Sequence, residues 1–207
     1  MTPAKVKSAN AWLREKFDLL SHYHEVAEVG EIMRRYFVIN AFDGVLTTLG
    51  VLAGGYIAGV DRARAVISVI VTTAIGIGVA GFYGSYLVEK AERERARHEL
   101  EEYTFSSLED TSIASASTYA TIVIAIVDGL SPVIAAAVAM IPFFFTSVIS
   151  VHAAYFASGV VALVELFLLG IFLGRMSRDR LIVSGAKLVA AGLVALGLSL
   201  LLGREVR

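Results

Sequence analysis

YFVINAFDGVLTTLGVLAGGYIAG, residues 36–59, decides the fold, because it is a long apolar run that contains one aspartate, Asp43. About 20 apolar residues suffice to cross the hydrocarbon core of a bilayer as a helix. Two arginines precede the run, so Asp43 lies about two helical turns inside the membrane. A charged carboxylate at mid-membrane costs roughly 2.5–3.5 kcal/mol, which favours a functional role for Asp43. The structural alternatives are a protonated Asp43 or a hydrogen bond from it to a neighbouring helix.

The composition places the chain among multi-span membrane proteins. Of its 207 residues, 57% are hydrophobic, and the mean hydropathy is +0.71. A net charge of −1 excludes a nucleic-acid binder driven by bulk positive charge. The chain has no cysteine, which excludes disulfides and thiolate metal sites. Its amino terminus is polar and charged, so we expect no signal peptide.

The pattern of apolar and charged segments predicts an all-α integral membrane protein with an amphipathic helix before the first span. We expect transmembrane helices at residues 36–59, 64–88, 119–146, 150–174 and 181–202. The predicted divisions are a cytosolic amphipathic helix (1–35), two spans (36–88), a cytosolic glutamate-rich helical segment that extends the second span (89–118), and three further spans (119–207). Pro142 and the polar residues after it indicate the break between the third and fourth spans.

The distribution of basic residues predicts the orientation in the membrane. Thirteen of the 18 Lys and Arg residues lie on the side of the amino terminus and four on the other side, while Lys187 lies within the last span. Because cytoplasmic loops carry an excess of Lys and Arg, the amino terminus is expected in the cytoplasm and the carboxyl terminus outside. A prokaryotic cell membrane is the expected location.

Two pairs of glutamates mark the segment after the second span. Glu89 and Glu92, then Glu99 and Glu102, are each three residues apart and are neighbours on one helical face. Such a stripe of carboxylates suits divalent cations such as Mg²⁺, Mn²⁺ and Fe²⁺. Arginines alternate with these acids, so surface ion pairing is the structural alternative.

A short repeat places a second aspartate inside the membrane. Val38-Ile39-x3-Asp43-Gly44 recurs, at an offset of 85 residues, as Val123-Ile124-x3-Asp128-Gly129. The two spans run in the same direction, as in the parallel repeats of some transporters. Pro132 cannot donate a hydrogen bond to the carbonyl of Asp128, and a freed carbonyl beside a carboxylate is a candidate cation site.

A third intramembrane acid is expected at the same depth. Glu165 lies ten residues before Arg175 in the fourth span, which returns it to the level of Asp43. Three converging carboxylates would repel one another unless a cation binds or a proton is shared, which is the chemistry of a metal/proton exchanger. The alternative is that each acid is hydrogen-bonded separately, and the candidate partners are Asn40, Thr47, Thr48, Ser131 and Tyr83.

The pattern resembles the vacuolar iron transporter family, including its prokaryotic relatives. Asp43-Gly44 matches the family's Asp-Gly-Leu type motif, and Gly84-Ser85-Tyr86 before the glutamates is similar to its Gly-Glu-Tyr entry to a glutamate-rich cytosolic helix. The remaining matches lie in the last two helices: Ala162-Leu163, residues 166–170, Gly174-Arg175, Ser184-Gly185 and Gly203-Arg204.

The resemblance implies a five-helix homodimer that exports Fe²⁺ or Mn²⁺ from the cytosol in exchange for protons, without a prosthetic group. It implies that Asp43 is the transport ligand and that Glu89, Glu92, Glu99 and Glu102 collect metal. The chain departs from the family at two positions. Ser85 replaces the glutamate of the Gly-Glu-Tyr motif, and Gly81 stands about where a methionine ligand is expected, so Asp128 and Glu165 are candidate replacements.

Two other functions are consistent with the sequence. Buried carboxylates also suit a proton-coupled exporter of organic cations, and a non-transporting membrane scaffold would use the acids only to hold helices together. An enzyme is not expected, because the sequence contains no nucleophile–base pair, phosphate-binding loop or metalloprotease motif.

Overall fold

The computed structural model describes residues 29–105, 107–108 and 111–205, and these form helices and connecting turns with no strand. The helices are α1 Val29–Ile57, α2 Ala63–Thr104, α3 Ser112–Ala139, α4 Val151–Ser177 and α5 Leu181–Glu205, and a short 3₁₀ helix, Ile141–Phe145, follows α3. The described residues thus contain five helices long and apolar enough to cross a membrane. The protein is therefore an all-α, multi-pass membrane protein, as predicted.

The first helix begins before the predicted span. Residues 29–35, expected in a separate amphipathic helix, continue directly into the apolar run as part of α1. Val29, with Ile32 and Met33 beside it, packs against Ala120 and Ile124 of α3, and this contact extends the helix toward the amino terminus. The remainder of the predicted amino-terminal helix, residues 1–28, lies outside the described residues.

The second helix extends far beyond the bilayer, as predicted for the glutamate-rich segment. It has 42 residues, and at 1.5 Å per residue it is about 60 Å long, twice the thickness of a hydrocarbon core. It ends at Phe105, whose backbone adopts the left-handed conformation (φ 51°). The chain then reverses into α3, where the Thr111 hydroxyl accepts a hydrogen bond from the Ala114 amide at 3.5 Å.

The predicted break near Pro142 is confirmed, although α3 ends earlier than expected, at Ala139. Pro142 lies in the first turn of the 3₁₀ helix, where its missing amide hydrogen costs nothing. Ser150 then caps α4 by accepting a hydrogen bond from the Ala153 amide at 3.2 Å.

The packing of the bundle brings both repeat motifs to close helix crossings. α3 packs against α1 on one side and α2 on the other, while α5 packs against α4 and α1. A Cβ atom at Gly44 would lie 2.6 Å from the Pro132 carbonyl oxygen, and one at Gly129 would lie 2.8 Å from the Gly78 carbonyl oxygen. Only glycine permits these approaches, so each Asp-Gly motif fixes its aspartate beside a crossing point.

Candidate functional site

Asp128 is the centre of a buried polar network that joins three helices. Its side chain is 5% exposed. Asn40 of α1 donates a hydrogen bond to Oδ1 of Asp128, and the Ser85 hydroxyl of α2 donates one to Oδ2. The Asn40 side chain also donates to the backbone carbonyl of Tyr36 at 2.9 Å. Both oxygens of this intramembrane carboxylate therefore have partners within the protein.

The network continues toward the end of α2 that leaves the bilayer. The Tyr36 hydroxyl donates a hydrogen bond to Oε1 of Glu89 at 3.2 Å. Glu89 is 5% exposed, and its Oε2 pairs with Nε of Arg93 at 3.2 Å. We refer to the connected residues as the polar track: Arg93, Glu89, Tyr36, Asn40, Ser85 and Asp128.

Gly81 closes the space beside Asp128. A Cβ atom at Gly81 would lie 3.2 Å from Oδ2 of Asp128 and 3.4 Å from its carbonyl oxygen. This is the carbonyl that Pro132 leaves without its usual helical donor. The α2 backbone therefore packs closely beside this carbonyl, and the cation site that the sequence predicted there stays a prediction.

The two departures from the vacuolar iron transporter pattern meet at the same carboxylate. Ser85 donates to Asp128, and Gly81 packs against it. These contacts and the hydrogen bond of Tyr36 were not predicted from the sequence. The spacing does indicate a polar face on each helix, because Tyr36 and Asn40 are four residues apart, and so are Ser85 and Glu89.

Asp43 has a different environment from Asp128. It is exposed on the surface of the single chain, and within the described part of the chain no side chain forms a hydrogen bond or ion pair with it. It is close enough to Asp128 for the two carboxylates to interact electrostatically. The structure therefore places an acid without a partner on the outer surface of a membrane-spanning helix.

Glu165 lies at the expected depth but in a separate place. It lines a cleft of about 280 Å³ together with Phe37, Val45 and Phe172, and the rings of Phe37 and Phe172 are 6.3 Å apart. These neighbours place Glu165 level with Asp43. Its Oε2 is buried and, in the part of the chain that the structure describes, has no hydrogen-bond partner.

The predicted convergence of the three acids is therefore wrong. Around α1, the side chains of Phe37 and Val45 face the Glu165 cleft, whereas Asn40 and Gly44 face α3. Within residues 29–105, 107–108 and 111–205, no three His, Asp or Glu side chains form a group that could hold a metal ion. The described helices therefore form no three-carboxylate site within one chain.

The glutamates beyond the second span also divide between two environments. Glu89 is buried in the polar track, whereas Glu92 and Glu102 are exposed. Glu99 pairs with Arg95, with Nε and Oε1 2.9 Å apart. Glu89 and Glu99 therefore form ion pairs with arginines, which is the structural alternative for this segment. The three-residue spacing of the glutamates does not by itself produce a metal site.

Comparison with known proteins identifies one relative of the chain, whose own function is not known. No family model matches the chain. An uncharacterized protein of the archaeon Methanocaldococcus jannaschii, MJ0645, is 32% identical over 167 residues, which cover 79% of this chain and 85% of that protein. The chain therefore belongs to the same family of proteins as MJ0645.

Proposed function

We propose that the protein is a divalent-cation/proton antiporter that exports Fe²⁺ or Mn²⁺ from the cytosol. In this proposal it acts as a homodimer in a prokaryotic cell membrane, with its amino terminus in the cytoplasm. The observation that carries the proposal is Asp43, an intramembrane carboxylate for which the described residues provide no hydrogen-bond or ion-pair partner. Acids at this depth are rarely tolerated unless they face a protein interior or bind a cation or proton.

The exposure of Asp43 favours a second copy of the chain against α1. If α1 faced lipid, Asp43 would bear the full cost of a carboxylate in hydrocarbon. A two-fold symmetric contact would instead bring Asp43 of one protomer toward Asp43 of its partner. Two adjacent carboxylates cannot both remain charged without a cation or a shared proton, so metal and protons would compete for one site.

The surface of α2 provides a suitable contact for such a dimer. Four small exposed residues follow one another at four-residue intervals: Thr72, Gly76, Ala80 and Gly84. A Cβ atom at Gly76 or Gly84 would meet no other atom within 4 Å. The Tyr36–Glu89 hydrogen bond sets the level of α1 against α2, and Asp43, seven residues further along α1, lies about level with the Ala80–Gly84 end of this surface. Small residues allow the backbones of membrane helices to approach closely.

In this proposal the polar track connects the cytosol with Asp128, which lies close enough to Asp43 to interact with it electrostatically. Glu89 stands where α2 leaves its apolar run, and hydrogen bonds connect it through Tyr36 and Asn40 to Asp128. The proposal assigns the exposed Glu92 and Glu102, with Glu99, to collecting metal in the cytosol. It assigns Asp128 to replacing the family ligands absent at Gly81 and Ser85, and Glu165 to the proton half of the exchange.

The test is metal uptake into proteoliposomes with an imposed pH gradient. Purified protein is reconstituted into vesicles that contain a metal-sensitive dye, and Fe²⁺ or Mn²⁺ is added outside under reducing conditions. We expect uptake that requires the gradient and exceeds that of protein-free vesicles. Absence of gradient-dependent flux of either metal, with the protein folded and dimeric, would contradict the proposal. Gradient-dependent flux of an organic cation alone would indicate the organic-cation exporter.

The membrane scaffold remains a second candidate because of Asp128. A carboxylate that accepts hydrogen bonds from two other helices is the arrangement expected of a structural acid. Asp43, which has no such partner in the described chain, does not fit that role. A scaffold predicts no gradient-dependent flux in the wild type and, for Asp43→Asn, no loss beyond stability. Antiport predicts wild-type flux that Asp43→Asn abolishes.

A further inference from the structure

A basic pocket lies between α2 and α3 on the side of the membrane toward which α2 projects. It has a volume of about 320 Å³ and is separate from Asp43, Asp128 and Glu165. Its polar lining residues are Tyr86, Lys90, Arg93, Glu94 and Arg97 of α2, and Ser117, Thr118 and Thr121 of α3. The polar track accounts for Arg93, which pairs with Glu89, but does not explain why Lys90 lies beside it in this cavity.

The charge of the pocket favours an anion. Three basic side chains outnumber the single carboxylate, Glu94, in the lining. Arg93 uses Nε to bind Glu89, which leaves the terminal nitrogens of its guanidinium group as donors. Lys90 is exposed and forms no ion pair within the described residues. Lys90 and Arg93 are the candidate donors to an anion, and Arg97 has a further interaction of its own.

The amino terminus of α3 adds to this positive potential. α3 has 28 residues and begins at Ser112, and Ala114 in its first turn lines the pocket. The amino-terminal end of a helix carries a partial positive charge, which attracts phosphate groups. The Ala114 amide already donates to the Thr111 hydroxyl, so α3 contributes its dipole to the pocket rather than this amide hydrogen. The Thr118 hydroxyl donates to the Ala114 carbonyl at 3.1 Å, so its oxygen is turned toward its own helix.

The depth of the pocket matches the headgroup layer of a bilayer. The apolar run of α2 ends at Val88. At 1.5 Å per residue, Lys90 and Arg93 lie about 3 and 8 Å beyond it, within the polar layer that adds about 5–8 Å to each face of the hydrocarbon core. Ile122 lines the pocket and is 44% exposed, and Ile126, one turn deeper on α3, is 42% exposed. An apolar surface therefore continues from the basic pocket into the membrane.

We propose that this pocket binds the phosphate of an anionic phospholipid, whose acyl chains follow the exposed surface of α3 toward Ile126. Soluble inorganic phosphate has the same chemistry as the phosphate of a lipid headgroup. The membrane depth and the adjoining apolar surface favour the lipid. The proposal is independent of the transported ion, since a scaffold would carry the same pocket.

The experiment is native mass spectrometry of delipidated protein titrated with phosphatidylglycerol, or with phosphatidylcholine of the same acyl chains. We expect preferential retention of phosphatidylglycerol. Lys90→Gln should weaken this retention about fivefold, because one basic residue near the headgroup contributes about 1 kcal/mol. Thr118→Glu should weaken it further by repulsion, whereas the matched Thr118→Gln keeps the size without the charge and should bind as the wild type does.

The control for general surface charge is Arg180→Gln. Arg180 is exposed on the same side of the membrane but lies outside the pocket, so this variant should retain phosphatidylglycerol normally. Wild-type retention by both Lys90→Gln and Thr118→Glu would overturn the proposal. Displacement of the lipid by millimolar inorganic phosphate, with phosphate binding lost in Lys90→Gln, would overturn the lipid in favour of soluble phosphate.

Discussion

Asp43 and Asp128 occupy equivalent positions in the short internal repeat, yet the fold gives them opposite environments. Asp128 is buried and accepts hydrogen bonds from Asn40 and Ser85. Asp43 is exposed and has no hydrogen-bond partner in the described part of the chain. The difference arises from their helices, because α3 lies between α1 and α2, whereas the surface of α1 that carries Asp43 faces outward.

A repeated motif therefore does not imply a repeated role in this protein. The glycine of each motif serves the same purpose, a close helix crossing. The aspartates do not, because the partner Asn40 has no counterpart in the second motif, where Ala125 takes its place. Asp128 is held by the chain itself, and Asp43 is available to an ion or to another protomer. The predictions below test that distinction.

The largest expected effect on stability is that of Asp128→Leu. This substitution leaves the buried Ser85 hydroxyl without its acceptor and leaves the half-buried Asn40 side chain only the Tyr36 carbonyl. Each lost partner costs about 1–3 kcal/mol, so the free energy of unfolding should fall by about 3 kcal/mol. Asp43→Leu, the matched change at the other motif, removes no hydrogen bond and should not destabilise the protomer. Thermal unfolding in detergent measures both, and equal losses would contradict the comparison.

The glycines of the two motifs should behave alike, in contrast to their aspartates. Gly129→Ala would force a Cβ to within 2.8 Å of the Gly78 carbonyl oxygen, and Gly44→Ala to within 2.6 Å of that of Pro132. Each should destabilise the protein by about 1–3 kcal/mol, the usual cost of overpacking. Gly54→Ala is the control, because Gly54 is exposed in α1, its Cβ would meet no other atom within 4 Å, and the change should stabilise the helix. The unfolding temperatures of the three variants are compared. An unchanged unfolding temperature for Gly129→Ala would contradict the close contact between Gly129 and Gly78.

Ser85→Ala should have a smaller effect. It removes one of the donors to Asp128 and leaves that of Asn40 in place. The expected loss is about 1–2 kcal/mol, the contribution of a hydrogen bond to a charged or buried acceptor. In a double-mutant cycle with Asp128→Asn, measured by thermal unfolding, the two changes should be non-additive. Strict additivity would mean that the Ser85 hydroxyl does not donate a hydrogen bond to Asp128.

The smallest effect is expected on the projecting part of α2. Arg95 and Glu99 form an exposed pair, with side chains that are 82% and 58% accessible. Arg95→Gln should therefore change the free energy of unfolding by less than about 0.5 kcal/mol. Arg93→Gln should cost more, because it leaves the buried Glu89 without its cation. Thermal unfolding at low salt compares the two variants, and equal effects would show that Glu89 is not buried in the polar track.

The sequence was sufficient to predict the five membrane helices and the projecting end of α2. Apolar length indicates the spans, and the charged residues after Val88 continue the helical pattern without a breaker. Pro142 correctly marked the break after α3. The start of α1 was predicted too late because a tertiary contact, Val29 against α3, extends it.

The rotation of each helix about its own axis was not predictable. The depth of Glu165 followed from its distance to Arg175, but α4 is apolar on almost every face, so nothing in its pattern indicated which neighbour Glu165 would meet. The structure places it in a cleft lined by α1, α3 and α4, without a hydrogen-bond partner for its Oε2 among the described residues. In the same way, hydropathy located Asp43 within the membrane and could not indicate that it is exposed on the single chain.

The central claim is that Asp43 binds the transported cation in exchange for protons. The most direct measurement is the initial rate of gradient-driven Mn²⁺ uptake by Asp43→Asn in proteoliposomes. Asp61→Asn, at an exposed acid in the turn after α1, is the matched control. Asn keeps the shape of Asp but not its charge, and the oligomeric state is measured by light scattering.

The account predicts that Asp43→Asn remains a folded dimer and loses uptake about 100-fold or more, the scale expected when a metal site loses an essential group. Asp61→Asn should transport as the wild type does. Uptake at the wild-type rate by a folded Asp43→Asn dimer would contradict the account, because Asp43 would then not be the group that binds the transported cation.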